Sequence, residues 1–492
     1  SKGRPVSTHE LHENQHYIGG TWRESQGEIP IPVIDARTGV IMGNAPAGSV
    51  ADLNAAVEAA VAAQPAWRAL TPQQRGKHLR ALADGLDDRR EEIATVISRE
   101  VGATYSLSYN VQAVVPSHSL RTAAAIAESY PFSEEIDNSI VVREPIGVVG
   151  AITAWNFPLH LVTVKAAYAM AAGNTVVVKP SEFAPLSARI LAEVAIYAEL
   201  PPGVLNIVFG TGPVVGEALV RNPAVGAVTF TGSTRAGKRI SELAADQVKK
   251  VTLELGGKSP NIVLEDADFK AAVEFGVADC MVNNGQRCDA LTRLLVPRSR
   301  VAAAESIVAA KVRELVVGDP LEEGVDVGPV ISDIQWNRVQ DLIQAGIDEG
   351  ARIVVGGPGR PSLPEPLDSG YFVKPTVFGD VTPDMRIAQE EIFGPVLVIQ
   401  AYDSESEAID LANDTIYGLH ACIWSDDEDH AMKVAGKVDA GLVKINDGPL
   451  NLLAPYGGYK QSGLGREYGR FGFEEFLEVK AITTTHNVRP WS

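Results

Sequence analysis

Cys288 is the residue whose type and surroundings point most directly to chemistry. It lies in the stretch NNGQRCDALTR, with an arginine before it and an aspartate after it. A cysteine can be a nucleophile, a metal ligand or a buried small residue, and free cysteines are often buried. The polar residues NNGQ predict a flexible turn, where backbone N–H groups or a cation can stabilise a thiolate. This context favours a reactive thiol.

A base and an oxyanion donor are also needed, and the sequence offers one of each. Glu254 lies in the apolar strand VTLEL, which two glycines follow, so it is either a satisfied core acid or a carboxylate with a tuned pKa. Asn156, in AWNFP, lies between a predicted strand and a predicted helix, where its amide can donate to a developing oxyanion.

Three further segments indicate nucleotide chemistry. FGTGPVVG, which contains Gly212, is one residue longer than the Rossmann fingerprint and fits a simple turn equally well. FTGSTRAG offers backbone N–H groups and the Ser233 hydroxyl at the start of a helix, where phosphates bind. VVVKPSE ends a strand with Lys179 and Glu182, and strand ends face the ligand crevice of an open α/β sheet.

The elements that must position these residues alternate between strand and helix. Residues 151–253 read as a doubly wound α/β domain, in which the wholly apolar strand NTVVVK is covered on both faces. A second α/β series runs over about residues 268–439, and amphipathic helices occupy about residues 50–101. The segment FLEVKAITTTH predicts a strand near the end of the chain that needs a pairing partner.

Composition narrows the class of protein. A chain of 492 residues predicts two or three domains, and a net charge of −19 argues against nucleic acid as a partner. No run of apolar residues is long enough to cross a membrane. The three cysteines lack metal-type spacing and cannot form a disulfide framework. Because the N-terminus also lacks a secretory signal, a cytoplasmic location is predicted.

Taken together and in order, these motifs resemble the aldehyde dehydrogenase superfamily. AWNFP, VVVKPSE, FTGS, LELGGKSP, GQRC, EEIFGPV and YGGYKQSGLGREYG extend the similarity from HYIGGTW to FLEVKAI. The resemblance is to the hydrolytic branch, which neither phosphorylates nor transfers to CoA. It implies a Rossmann-like doubly wound cofactor-binding domain, a second α/β catalytic domain and a small β oligomerisation element. The implied bounds are 1–130 with 146–253, then 254–460, then 131–145 with 472–492, and the implied assembly is a homodimer or homotetramer.

The resemblance also implies catalytic roles. Cys288 attacks the aldehyde, Asn156 and the Cys288 N–H hold the oxyanion, and Glu254 activates the water that hydrolyses the thioester. The cofactor is NAD, with NADP possible, because the Glu182 carboxylate would repel a 2′-phosphate. The residues that the resemblance places around the cofactor are Trp155, Lys179, Ser181, Glu182, Gly212, Phe230, Thr231, Gly232, Ser233, Glu391 and Phe393.

Arg287 and Asp289 depart from the family pattern, which has small or apolar residues beside the cysteine. Three interpretations stay open. Arg287 binds an acidic group on the aldehyde, Asp289 binds a cationic or polar group, or the two residues pair with nearby chain and tune the thiolate.

Other departures predict a polar substrate tunnel. His160, which with Leu161 follows Asn156 by about one helical turn, either faces this tunnel or bonds to backbone. Leu450 and Tyr456 occupy positions where the family often has aromatic rings. The predicted substrate is an aldehyde with a polar or carboxylate end, as in a semialdehyde. Lys444, where the family usually has an apolar or aromatic residue, has no account from sequence.

Two alternatives belong to other classes. A catalytically silent relative, retained for binding, would not need the complete set of cysteine, glutamate, asparagine and lysine that this chain carries. A thiol hydrolase acting without NAD would need a histidine partner for Cys288 and would leave the nucleotide motifs unexplained.

Overall fold

A computed structural model describes residues 12–485. Within that range the chain forms twenty β-strands, which are β1 (Gln15–Ile18), β2 (Thr21–Glu24), β3 (Ile31–Asp35), β4 (Val40–Ala45), β5 (Ser133–Ile136), β6 (Ser139–Pro145), β7 (Val148–Ile152), β8 (Thr175–Lys179), β9 (Leu205–Ile207), β10 (Val225–Thr231), β11 (Lys250–Glu254), β12 (Pro260–Val263), β13 (Arg293–Pro297), β14 (Arg352–Val355), β15 (Thr376–Gly379), β16 (Val396–Tyr402), β17 (His420–Trp424), β18 (Leu442–Ile445), β19 (Gly463–Leu464) and β20 (Leu477–Thr483).

Sixteen α-helices lie in the same described range. They are α1 (Val50–Ala69), α2 (Pro72–Asp88), α3 (Arg90–Val101), α4 (Tyr105–Leu107), α5 (Val115–Ser129), α6 (Pro158–Ala171), α7 (Leu186–Tyr197), α8 (Glu217–Arg221), α9 (Thr234–Ala245), α10 (Phe269–Met281), α11 (Val301–Glu314), α12 (Asp333–Asp348), α13 (Arg386–Gln389), α14 (Glu405–Asn413), α15 (Glu428–Ala435) and α16 (Gly469–Glu474). None of them is both long and apolar enough to cross a membrane.

The first sheet has eight strands in the order β19-β11-β10-β7-β8-β9-β1-β2. Its five central strands, β11 to β9, run parallel, while the strands at both edges are antiparallel. β8 is buried along its whole length: Val176 and Val178 pack into one hydrophobic core and Val177 into the core on the opposite face. The prediction of a doubly wound sheet covered on both faces is confirmed.

The second sheet has seven strands in the order β14-β15-β16-β13-β12-β17-β18. All neighbours are parallel except β14, which pairs antiparallel with β15 at one edge. Its strands lie within the predicted catalytic segment. It thus forms a second α/β layer, as expected.

A third, antiparallel sheet joins distant parts of the chain in the order β20-β6-β5. β20 pairs with β6 over seven positions, from Leu477 opposite Pro145 to Thr483 opposite Ser139, so the predicted terminal strand has its partner. β5 is exposed, and Val479 on β20 is 66% exposed.

The predicted domain boundaries stay a prediction. Glu254 is the last residue of β11 and belongs to the first sheet, as does β19, which lies beyond the predicted catalytic segment. Residues 1–11 and 486–492 of the predicted domains fall outside the described residues.

Local sequence signals set the helix starts that matter for the site. α6 begins at Pro158, whose missing N–H costs nothing in a first turn. α9 begins after Ser233, whose hydroxyl accepts from the N–H of Ala236.

Asn174 ties the first sheet to the C-terminal segment. Its side chain is fully buried, accepts from the Gly147 N–H at 2.9 Å and donates to the Phe476 carbonyl at 3.0 Å. Both partners are backbone groups, and the Phe476 carbonyl is buried, so it would have no partner if the amide were removed.

We therefore expect Asn174→Ala to lower the free energy of unfolding by about 1–3 kcal/mol, since the buried Phe476 carbonyl and the half-buried Gly147 N–H lose their partner. A scanning calorimetry trace should show a lower melting temperature. Asn54→Ala, at an exposed position on α1, is the matched control and should change it little. Equal melting temperatures for the two variants would contradict this role for Asn174.

Candidate active site

One cavity of about 820 Å³ lies where β7, β10 and β11 end side by side. The carboxyl ends of parallel strands are the usual ligand-binding edge of such a sheet. The cavity brings together predicted residues from segments far apart in the chain, namely Trp155, Asn156, His160, Leu161, Thr231, Gly232, Ser233, Glu254, Arg287, Cys288, Asp289, Glu391, Phe393, Lys444, Leu450 and Tyr456.

The segment before Cys288 is held by buried amides. Asn283 and Asn284 both adopt left-handed backbone conformations, with φ of 55° and 60°, which asparagine tolerates better than most residues. The Asn284 amide donates to the carbonyls of Gly102 and Pro329, each at 2.8 Å. Both asparagines are buried, so the expectation of a flexible turn was wrong.

Asn156 is part of the same hydrogen-bonded unit. Its Nδ2 donates to the Gln286 carbonyl at 3.0 Å, and its own backbone carbonyl accepts from the Asn283 amide at 3.0 Å. The turn after β7 and the cysteine segment are therefore fixed relative to each other. An amide nitrogen carries two hydrogens, so one N–H of Asn156 is left over in the cavity.

Gly257 explains one glycine of the LELGG motif. A Cβ at this position would lie 2.2 Å from the Cys288 carbonyl oxygen, so only glycine lets the two backbones approach so closely. The Gly257 N–H also donates to Glu391 Oε1 at 3.0 Å. The segments that carry Glu254 and Cys288 are thus packed against each other.

The thiol of Cys288 lies in a largely acidic environment. Burial raises the pKa of the thiol, and the charge of Asp289 raises it further, as do the more distant Glu254 and Glu391. The Tyr456 hydroxyl lies 3.5 Å from Cys288 Sγ, within hydrogen-bond distance for sulfur. Among the described residues no metal-type cluster surrounds the cysteine.

Glu254 is buried, and neither of its carboxylate oxygens has a hydrogen-bond partner among the described residues. Burial raises its pKa well above the usual range, and the charge of Glu467 raises it further. Lys165 partly opposes this effect and forms a buried ion pair with Glu467. A carboxylate in such surroundings is more basic than one in water.

Arg287 is engaged by two carboxylates. Its Nη1 lies 3.1 Å from Asp279 Oδ1 and its Nε 3.0 Å from Asp289 Oδ1, and all three side chains are 15% exposed or less. Although burial acts in the opposite direction, Arg287 and His420 lower the pKa of Asp289 to about 2. Of the three open interpretations, this geometry favours pairing with nearby chain, because the guanidinium is already occupied.

A second group of predicted residues lies at the end of β8, outside the main cavity. Lys179 Nζ contacts Glu182 Oε2 at 3.0 Å and the Gly210 carbonyl at 3.0 Å, and Glu182 Oε1 is 3.5 Å from the Gly212 N–H. Although burial raises its pKa, Lys179 keeps the pKa of Glu182 below its usual value. A buried lysine and a partly exposed carboxylate at a strand end suit a ribose with its hydroxyls.

Two residues that were predicted to bind the cofactor, Ser181 and Phe230, do not line the main cavity. Ser181 is buried, with its hydroxyl 3.3 Å from the Phe183 N–H. The Phe230 side chain is part of a hydrophobic core and does not line the cavity.

The far end of the cofactor region lies close to Cys288. The rings of Trp155 and Phe393 meet edge to face, with centroids 5.2 Å apart. Burial raises the pKa of Glu391 to about 7. With Thr231, Gly232 and Ser233, which lead into α9, these groups line the main cavity beside the thiol. Together with the separate group at the end of β8, they suit an extended dinucleotide.

Comparison with known proteins decides the family. Residues 22–482 match the aldehyde dehydrogenase family. The chain belongs to this family. It is 45% identical to 3-succinoylsemialdehyde-pyridine dehydrogenase of a Pseudomonas species, over 95% of this chain and 98% of that protein.

Solved structures agree. The chain matches aldehyde dehydrogenase C of Pseudomonas syringae, solved as a cysteine-to-alanine mutant with NAD+ and octanal, at a TM-score of 0.95 and 44% identity, covering 99% of this chain and 100% of that one. It matches betaine aldehyde dehydrogenase of Staphylococcus aureus, solved with NAD+, at 0.93 and 37%, covering 97% and 96%. The protein is an NAD(P)-dependent oxidoreductase that acts on an aldehyde, and a catalytically silent role is not supported.

The structure shows further residues of the site that the sequence did not predict. Tyr468 lines the cavity, and its hydroxyl lies 2.7 Å from His160 Nε2, so the histidine is paired with a side chain and not with backbone. Tyr468 was quoted in the motif GREYG, but nothing in that motif predicted a contact across 308 positions. Asp279, the partner of Arg287, lies in a largely apolar helix, and nothing in the sequence around it predicted a role in the site.

The structure also shows where Lys444 lies. It lies on β18, lines the cavity with Leu450 and Leu452, and makes no hydrogen bond or ion pair with any residue of the described 12–485. The cavity's other cations have partners or lie at the cofactor end: Arg287 pairs with two aspartates, Arg338 donates to the Glu391 carbonyl, and Arg235 follows Ser233 on α9.

Proposed function

We propose that this enzyme oxidises an aldehyde with a polar far end to the carboxylic acid through Cys288, using NAD+. The observation that carries the proposal is that a thiol, an unpaired buried carboxylate and an amide donor face one cavity, with the residues for a dinucleotide beside them.

In the first step the Cys288 thiolate attacks the aldehyde carbon. A carbon–sulfur bond forms, and the carbonyl electrons move to oxygen. The free N–H of Asn156 and the backbone N–H of Cys288 then donate to this oxyanion. A pre-positioned donor of this kind stabilises the transition state by about 3–4 kcal/mol.

When NAD+ is bound, it accepts the hydride from the tetrahedral carbon. The acyl group stays on Cys288 as a thioester. Glu254 takes a proton from water, the oxygen attacks the thioester carbon, and the carbon–sulfur bond breaks. The acid leaves, the sulfur stays on Cys288 as the thiolate, and Glu254 passes its proton to solvent. A positioned base of raised pKa suits this step and contributes about 10²–10⁴-fold.

NAD is favoured over NADP by the position of Glu182. A carboxylate that can accept from ribose hydroxyls would repel a 2′-phosphate. The NAD+ bound in both structural relatives supports the same choice.

The substrate proposal rests on Lys444. It is the cavity-lining cation on the cysteine side that makes no hydrogen bond or ion pair with the described residues, although its charge acts on Asp289, so it can bind a carboxylate or carbonyl oxygen at the far end of the aldehyde. One relative is named for a semialdehyde, which has such an oxygen. We therefore propose that Lys444, and not Arg287, binds the polar end of the substrate.

We also propose a cytoplasmic homodimer or homotetramer, with two α/β domains and an oligomerisation element at the bounds given above. The exposed strand β5 at one edge of the third sheet and the 66% exposed Val479 on β20 at the other edge offer strand edges suited to pairing with a second copy.

Glu254→Gln should separate the two half-reactions. Because the thiol and the oxyanion donors remain, mixing with NAD+ and aldehyde should give a burst of absorbance at 340 nm of about one equivalent. Steady-state acid formation should fall by about 10²-fold or more, since the base is lost. Cys288→Ser should give no burst. Wild-type rates of acid formation in Glu254→Gln would refute the assignment.

Lys444→Met should raise KM for succinic semialdehyde by about tenfold, the effect of losing one charge-assisted hydrogen bond. KM for butanal, which has the same chain length and no polar end, should stay near the wild-type value. Lys433→Met, at an exposed position on α15, is the matched control. An equal change in KM for both aldehydes would remove Lys444 from substrate recognition.

A further inference from the structure

We infer that Tyr456 is a catalytic residue, whose hydroxyl donates a hydrogen bond to the Cys288 thiolate and keeps it available for attack. This inference rests on the proposed role of Cys288 as nucleophile. The sequence suggested for Tyr456 only an aromatic ring whose hydroxyl makes the substrate tunnel more polar.

The hydroxyl is held in place. It lies 3.5 Å from Cys288 Sγ, and the side chain is 9% exposed. The Tyr456 backbone exchanges two hydrogen bonds with Glu467, at 2.9 and 2.7 Å. Its ring packs edge to face against Tyr468, with centroids 5.4 Å apart. Backbone and ring together therefore fix the direction of the hydroxyl.

The surroundings of the thiol leave few other ways to stabilise a negative sulfur. The charged groups that act on Cys288 directly are Asp289, Glu254 and Glu391, which are all acidic and disfavour the thiolate. Arg287, the nearest cation in sequence, is directed to Asp279 and Asp289. The Tyr456 hydroxyl lowers the pKa of the thiol, in opposition to burial and these charges.

Other groups face the pair from neighbouring elements and must be considered too. Tyr468 bonds to His160, and Lys165 pairs with Glu467. Arg466 donates to the carbonyls of Gly458 and Gly465. None of these groups contacts Cys288 Sγ. Lys444 also lines the cavity.

The phenol acts as a hydrogen-bond donor and not as an acid. Burial raises the pKa of Tyr456 well above its ordinary value, so its proton stays on oxygen at neutral pH. The hydrogen bond forms to the sulfur lone pair of the thiolate. As sulfur bonds to the aldehyde carbon, that negative charge moves to the substrate oxygen and no proton leaves Tyr456.

The test is the pH profile of Cys288 alkylation by iodoacetamide, followed by mass spectrometry of the Cys288 peptide because Cys280 and Cys422 are also present. In Tyr456→Phe the alkylation rate at pH 8 should fall about tenfold, which equals one pKa unit or about 1.4 kcal/mol. The rates of variant and wild type should converge at high pH, where both thiols are ionised.

Tyr468→Phe is the matched control. This variant also loses one phenol hydroxyl, but the Tyr468 hydroxyl bonds to His160 and not to sulfur. Its alkylation profile should stay close to that of the wild type. If Tyr456→Phe folds poorly, Tyr456→Leu also lacks the hydroxyl and should show the same shift.

A Tyr456→Phe profile that overlays the wild type would overturn the inference, and so would an equal shift in Tyr468→Phe. Either result would leave the proposed function intact. That function is tested separately by the loss of NADH formation in Cys288→Ser, which should be complete whatever Tyr456 does.

Discussion

Burial of two acidic groups in one cavity is the constraint on which the rest of the site depends. The Glu254 carboxyl is buried and the Cys288 thiol is half-buried among acidic groups, so each favours its neutral form at rest. The same burial makes the carboxylate a stronger base and the thiolate a less solvated nucleophile. The site must therefore supply its own stabilisation for each charged state, through Lys165 for the Glu254 carboxylate and Tyr456 for the Cys288 thiolate.

Backbone packing makes this arrangement rigid. Glu254 ends β11, and the two glycines after it let the chain pass within contact of the Cys288 carbonyl and the Glu391 carboxylate. On the opposite side, left-handed Asn283 joins the cysteine segment to Asn156 through buried amides. Nucleophile, base and oxyanion donor thus belong to one packed unit, and a shift in any segment would be felt by the others.

Much of this could be predicted from sequence because parallel strands end at one edge. Asn156, Ser233 and Glu254 each follow or end a short apolar run, so their convergence followed from the topology. The contacts that tune the site could not be predicted. Lys165 with Glu467, His160 with Tyr468 and Arg287 with Asp279 depend on how helices pack across the chain. No local pattern distinguishes such partners from ordinary surface charges or core aromatics.

The central claim is that the acyl group is carried by Cys288, and intact-protein mass spectrometry tests it most directly. Glu254→Gln would be mixed with NAD+ and succinic semialdehyde and quenched in acid within the burst. The account predicts a mass increase equal to one acyl group, located on the peptide that contains Cys288 and absent without NAD+. An unmodified Cys288 during an observed burst of NADH, or an acyl group on another residue, would contradict it.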